Sequence, residues 1–156
     1  MRENQAEINK GMQQLHVSQD QLKDMIRVVQ QLEQDRSNSL TGYNFSWTLN
    51  ELHATSWNTA TATGAIAFMD YSKVKRYTRV YDLQQQFMSL QNRAFDSILV
   101  VYGLGTLLQK DIKKVSNAQL ADAERVLGLA LSNAGAVESL ETALSEEYTK
   151  VLKGVN

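Results

Sequence analysis

The side chains most capable of chemistry lie in the middle third of the chain, which contains both tryptophans. Trp47 and Trp57 could form the flat apolar walls of a pocket, and His53, Asn58 and Thr61 could supply directional hydrogen bonds to a small molecule. These five residues are the candidate ligand-binding site. The alternative interpretation is packing, because aromatic residues at helical spacing usually fill a core.

The two histidines do not match the metal sites of helical bundles. A di-iron bundle needs Glu three residues before His, whereas Gln13 precedes His16 and Asn50 precedes His53. Cysteine is absent, which excludes thiolate nucleophiles, disulfides and Cys-ligated metals. No nucleophile elbow or phosphate-binding loop occurs either. We therefore predict a non-enzymatic protein with no catalytic residue, metal or cofactor.

Composition narrows the classes of partner. Lys plus Arg number 16 and Asp plus Glu number 17, for a formal net charge of −1. Such a balance argues against nucleic-acid binding, which needs a basic face. The longest apolar runs without charge, 97–108 and 126–137, are shorter than the roughly 20 residues that a bilayer crossing needs. The N-terminal residues lack an apolar core, so no signal peptide is predicted.

The elements that must position these residues are visible in a repeated apolar spacing of three and four. Three long stretches of the chain carry it, and proline is absent throughout. Each stretch presents one apolar stripe to its neighbours. The sequence therefore predicts an all-α, up-and-down antiparallel bundle of about four helices, three long and one shorter or broken, forming a single domain over residues 1–156.

Local signals predict where these helices begin and end. The three long helices are expected at Glu3 to Asp35, from a cap at Asp70 or Ser72 to about Gln109, and from a Ser116–Gln119 capping box to Lys153. Residues 36–45 have the composition of a loop. Thr48 and Glu51 match a capping box, which predicts that the second helix begins near Trp47 and is broken near Thr55.

Several seam positions carry residues that a plain apolar core would not use. Gln19, Gln84 and Gln91 need partners if buried, so they form a polar layer, set the register of the helices or face a ligand. Phe87 and Tyr102 look exposed and suggest self-association. If the third and fourth helices are antiparallel, the basic run 73–79 lies beside Glu146 and Glu147, and such pairs would set register more than stability. The alternative for this run is a functional basic patch for phosphates or anionic lipid.

The middle third also carries a loose Trp/Gly/Tyr pattern. It comprises Ser46-Trp47-Thr48-Leu49, Trp57-Asn58-Thr59-Ala60, Thr63-Gly64-Ala65, Phe68-Met69 and Tyr77 to Tyr81. This pattern resembles uncharacterised helical domains of bacterial proteins that follow a single N-terminal membrane helix. The resemblance implies the soluble part of a membrane-anchored protein whose anchor lies outside this chain. It favours the periplasmic face of the inner membrane, with the cytoplasm as the alternative, and it transfers no catalytic residue.

Two classes of function remain. The first is a non-enzymatic interaction or scaffolding domain, whose partner is an unknown protein or a second copy of the chain. The second is an extracytoplasmic sensor bundle that binds a small ligand between its helices. A sensor predicts a pocket lined by Trp57 and Asn58, whereas a scaffold predicts a filled core.

Overall fold

Four α-helices and a 3-10 turn account for the regular structure that the computed structural model describes. The described residues are 1–36, 45–108 and 114–154, without the side chains of 105–108. The elements are α1 (Arg2–Gln34), α2 (Thr55–Ala62), the 3-10 turn (Ala65–Phe68), α3 (Tyr71–Leu108) and α4 (Asn117–Lys153). The predicted all-α bundle is confirmed. The predicted loop at 37–44 and the predicted end of the third helix at Gln109 lie outside the described residues.

The three long helices follow from continuous apolar seams and from their caps. They contain 33, 38 and 37 residues, which corresponds to about 50 to 57 Å at 1.5 Å per residue. The Ser116–Gln119 capping box is present as predicted, since each side chain bonds the backbone of the other residue. Asp70 caps α3 by accepting a bond from the backbone N–H of Ser72 at 2.8 Å. Both caps satisfy donors that a helix N-terminus leaves unpaired.

Helix α4 packs against both α1 and α3 and runs antiparallel to each. Gln5 bonds Thr149 near one end of the α1–α4 pair, and Gln30 bonds Glu124 near the other. Along α3, Gln84 meets Tyr148 and Ser97 meets Asn133. Helices α1 and α3 therefore run in the same direction, as the up-and-down topology requires.

The connection between α1 and α3 is extended chain rather than a helix at Trp47. The prediction of a helix from Trp47 is therefore wrong. Residues 45–54 contain no helix, and α2 begins only at Thr55. The carbonyl of Ser46 bonds Ser18 of α1, and the backbone of His53 bonds Asn4 of the same helix. Seven residue steps of extended chain cover about 23 Å, and the 14 helical steps between those partners rise about 21 Å. We call residues 45–54 the extended segment.

The aromatic and apolar side chains form two clusters along the bundle. One cluster contains Leu22, Ile98 and Leu127, and the other contains Ile8, Phe87 and Leu144. Phe87 is fully buried, which corrects the expectation that it is exposed, whereas Tyr102 is 41% exposed and lies edge-on to Phe45. Each buried side chain of this size contributes about 1.5 to 3 kcal/mol.

An ion pair confirms the predicted register of α3 and α4. The guanidinium of Arg79 lies 3.3 Å from a carboxylate oxygen of Glu147, and Lys150 bonds the same carboxylate at 2.9 Å. Both cations are mostly exposed. Such pairs contribute little to stability, so this cluster reports the alignment of the two helices rather than determining it.

Gly11 lets the extended segment approach α1 closely. A Cβ built at Gly11 would lie 2.6 Å from Cγ of Asn50, which is much closer than carbon atoms can approach. Asn50 is buried, and its backbone is held by Gln91 on the other side. The side chain of Asn50 therefore has little freedom to move away.

Gly11→Ala should destabilise the protein by about 1 to 3 kcal/mol, because overpacking at Asn50 outweighs the gain in helix propensity of about 1 kcal/mol. Gly128→Ala in α4 is the matched control, since a Cβ there meets nothing within 4 Å. That control should be neutral or stabilising. Urea unfolding of both variants checks the pair, and equal effects of the two substitutions would contradict the close approach.

Candidate functional site

Two side-chain amides hold the extended segment. Each bonds backbone N–H and C=O groups, as a neighbouring strand does in a β-sheet. Gln91 of α3 accepts a bond from the N–H of Asn50 at 2.8 Å and donates to its carbonyl at 3.1 Å. Asn4 of α1 accepts from the N–H of His53 at 3.1 Å and donates to its carbonyl at 2.8 Å. Each amide satisfies both backbone groups of one residue that has no helix or sheet partner. We call these two contacts the amide clamps.

The clamps belong to buried polar layers that repeat every seven residues. Gln84 lies one heptad before Gln91, and its Oε1 accepts a bond from Tyr148 at 2.8 Å and from Asn4 at 3.1 Å. Burial raises the pKa of Tyr148 to about 12, so its hydroxyl stays a donor. Of the interpretations open for the seam glutamines, Gln84 and Gln91 form polar layers. Gln19 bonds Glu138 of α4 instead.

Glu141 lies at the centre of this polar system and is fully buried. Its Oε1 accepts a bond from Nδ2 of Asn50 at 2.8 Å. Within the described residues, Oε2 of Glu141 and Oδ1 of Asn50 have no hydrogen-bond partner. Both unpartnered atoms are acceptors. They belong to the Glu141 carboxyl group and the Asn50 amide, which the Oε1–Nδ2 bond already joins. A proton on Oε2 supplies the donor that the pair lacks.

The electrostatic environment favours that proton. Burial raises the pKa of Glu141 from its ordinary value of 4.5 to about 7, and the negative charge of Glu138 adds to the rise. The bond from Asn50 and the charge of His16 act in the opposite direction without cancelling it. The neutral acid keeps the acceptor that Nδ2 of Asn50 uses and carries a donor that the carboxylate lacks.

The five residues proposed from the sequence are not gathered into one pocket. Trp57 stacks on Tyr81 with ring centroids 5.2 Å apart and an interplanar angle of 9°. Trp57 and Asn58 line a surface groove of about 300 Å³ with Leu52, Gln84 and Met88, among others. Two of the five residues, Trp57 and Asn58, thus lie together in this groove.

The other three residues lie elsewhere. The backbone of His53 is bound by Asn4. The exposed side chain of His53 borders a shallow depression lined partly by carboxylates. Trp47 is half-buried between the two apolar clusters, and among the described atoms its Nε1 has no partner. The hydroxyl of Thr61 donates to the carbonyl of Asn58, one turn earlier in α2, at 2.8 Å.

Asn4, Glu141 and Tyr148 are not among the site residues predicted from the sequence. A signal existed for each of them, because Asn4 lies four residues before Ile8 and the other two occupy seam positions of α4. A carboxylate between apolar seam positions predicts either a buried partner or a shifted pKa. The partner amide, Asn50, comes from a distant segment and cannot be located from spacing alone.

Comparison of this chain with protein-family models, curated proteins and solved structures finds no match. None of the helices in the described residues is long and apolar enough to cross a bilayer. Across the same residues, no group of three His, Cys, Asp or Glu side chains is arranged to hold a metal ion.

The buried acid predicts a specific pH dependence. Between about pH 4.5 and pH 7 the folded state holds a proton on Glu141 that the unfolded state has lost, so the free energy of unfolding falls as pH rises through this range. Above the folded pKa this contribution is lost and the dependence levels off. At about 1.4 kcal/mol per pKa unit, a rise from 4.5 to about 7 makes the full loss about 3.5 kcal/mol.

Glu141→Gln should remove this dependence, because the amide reproduces the neutral acid. Urea unfolding should show the variant close to wild type at about pH 4 and more stable by about 3 kcal/mol at about pH 8. Glu146→Gln, on an exposed position of the same helix, is the control and should follow wild type at both values. A constant offset between Glu141→Gln and wild type would show that Glu141 is already charged in the fold.

Proposed function

We propose that this chain is a non-enzymatic interaction or scaffolding domain that works as a preformed helical rod. The observation that carries this proposal is that the interior is occupied by the chain itself. The extended segment fills the position between α1 and α3, and the amide clamps bind its backbone on both sides. A closed interior leaves the outer faces of the bundle as the surfaces for recognition.

Those outer faces offer apolar contact points along the rod. Val17 of α1, Leu99 of α3 and Leu129 of α4 are 54%, 52% and 51% exposed. Single exposed apolar residues are ordinary, but these three lie on three different long helices and offer apolar contact to a partner that lies along the bundle. The partner is another protein or a second copy of this chain. The resemblance described above supports a position beside a bacterial membrane, on its periplasmic face.

Site-specific photocrosslinking in cells of the source organism tests this role. A photoreactive amino acid at Val17, Leu99 or Leu129 should give an adduct of the same mass from at least two of these positions. Excess unlabelled chain should compete the adduct away. The same amino acid at exposed Lys10 or Asp122 serves as the control. Absence of a competed adduct at all three positions would contradict the proposal.

A small-ligand sensor is the second candidate, and the surroundings of Trp57 favour it. A half-open, largely apolar groove of about 350 Å³ lies between the start of α1, the end of α4 and the aromatic rings of Trp57, Tyr77 and Tyr81. Ligand sites commonly fall between about 300 and 1,000 Å³, so this groove lies at the lower limit.

Tryptophan fluorescence separates the two candidates, because Trp57 lines the groove and Trp47 does not. The interaction role predicts no saturable change in emission during a small-molecule screen. A saturable change that Trp57→Leu abolishes, in a variant with unchanged helicity, would replace the interaction role by the sensor role. Trp47→Leu is the matched control and should retain any such signal.

A further inference from the structure

One end of the bundle projects two aromatic side chains into solvent. Phe68 in the 3-10 turn is 94% exposed and Tyr71 at the start of α3 is 81% exposed. No other large apolar side chain among the described residues is exposed to a similar degree. A phenylalanine held this far from the protein surface gains nothing from the fold and is suited to burial against something else.

The backbone of the turn that carries Phe68 can be transferred from water to an apolar medium at a low energetic cost. Gly64, at a φ of 72°, reverses the chain at the end of α2. The N–H of Ala67 then bonds the carbonyl of Gly64 at 3.0 Å, and the N–H of Met69 bonds that of Ile66 at 3.1 Å. Since these backbone donors are already paired, moving the turn into an apolar medium leaves fewer polar groups unsatisfied.

The turn lies at the end of the bundle where α1 begins and α4 ends. Met69 lines an apolar groove together with Met1, Val151 and Leu152. The guanidinium of Arg76 reaches the C-terminal end of α4, since its Nη1 would lie 2.7 Å from a Cβ on Gly154. The exposed aromatic rings therefore belong to a terminal surface of the rod rather than to one of its long faces.

The helical turns of α3 and α4 at this end are rich in cations. The first turns of α3 carry no carboxylate before Asp82, and the last turn of α4 contributes two lysines. The cations of these two regions are Lys73, Lys75, Arg76, Arg79, Lys150 and Lys153. Among nearby carboxylates, Asp70 caps the N-terminus of α3, and Glu147 pairs with two of the cations. The α3 and α4 side of this terminal surface thus combines an apolar tip with basic residues, whereas Glu3 and Glu7 lie on the side of α1.

We propose that this end of the bundle docks on an anionic lipid surface, with Phe68 and Tyr71 among the headgroups and the basic residues of α3 and α4 facing them. Apolar insertion and attraction of Lys and Arg to anionic lipid act together in peripheral membrane binding. Tyrosine is also a favoured side chain at the membrane interface. The proposal stands on the terminal surface and does not depend on contacts along the rod.

Size and charge favour lipid over a protein occupant. Two aromatic side chains offer about 300 to 500 Å² of contact area, whereas a stable protein interface buries about 800 Å² on each partner. A second copy docked end to end would also bring two basic surfaces together, which is unfavourable. A bilayer of anionic lipid meets neither objection.

Vesicle flotation of the 156-residue chain tests the proposal. The chain should float with vesicles of equal parts phosphatidylglycerol and phosphatidylcholine, and much less with pure phosphatidylcholine. Binding should weaken at about 0.5 M salt, where charge attraction is screened. Phe68→Ser should lower the partition coefficient at least tenfold, and Lys73→Gln with Lys75→Gln should lower it for anionic vesicles only.

Val100→Ser is the matched control, because Val100 is a half-exposed apolar residue on α3 far from this end. It should bind vesicles as wild type does, and circular dichroism should show all variants equally helical. Equal flotation of wild type and Phe68→Ser, or no flotation with anionic vesicles, would overturn the proposal. So would a dimer seen by light scattering that Phe68→Ser dissociates. None of these failures affects the crosslinks expected along the rod, so the two proposals fail separately.

Discussion

The arrangement of the bundle depends on hydrogen bonds to the backbone of the extended segment at Asn50 and His53. A chain with neither helix nor sheet partners cannot lie between two helices unless its N–H and C=O groups find other hydrogen bonds. The amides of Asn4 and Gln91 provide them, one from each flanking helix. The spacing also matches, because three extended residues span about 10 Å and seven helical residues rise about 10.5 Å. A heptad on each helix is thereby aligned with the step from Asn50 to His53.

Burial of the Glu141 side chain is the energetically unfavourable part of this arrangement. A buried carboxylate beside an amide with an unpartnered oxygen is unfavourable, and burial shifts the equilibrium toward the neutral acid. An apolar residue there would leave Nδ2 of Asn50 without its acceptor, so the acid and the amide depend on each other. Gly11 completes this layer by giving the Asn50 side chain room. Such polar layers fix one alignment of the helices, because a slip of register would leave several buried groups unpaired.

The long helices could be predicted from the sequence because their signals are local. The seams of α1, α3 and α4 repeat without a proline, and the Ser116–Gln119 box marks a helix start within four residues. The extended segment could not be predicted in the same way. Thr48 and Glu51 satisfy a capping pattern, yet the decisive partners of that segment, Asn4 and Gln91, are distant in sequence. Tertiary hydrogen bonds thus override a local helix signal.

The candidate site was predictable in a similarly partial way. Trp57 and Asn58 do share a groove, because they are adjacent on one helix. Trp47 lies on the extended segment instead, so the expectation that both tryptophans form walls of one pocket depended on the helix that is absent there. Phe68, which was noted only as part of a loose pattern, is the most exposed aromatic residue of the described chain. Exposure of this kind depends on how the turn leaves the bundle, which composition does not reveal.

Backbone hydrogen exchange of Asn50 and His53 tests the central claim most directly, because these two N–H groups are the donors bound by the clamps. Protection of both amides should lie within about tenfold of that of buried helical amides such as Leu22 and Ile98, since each N–H is released only when its clamp breaks. Gln91→Leu should accelerate exchange at Asn50 far more than at Leu22. Exchange of both amides at the rate of an unstructured peptide, in a protein whose helices remain protected, would contradict the account.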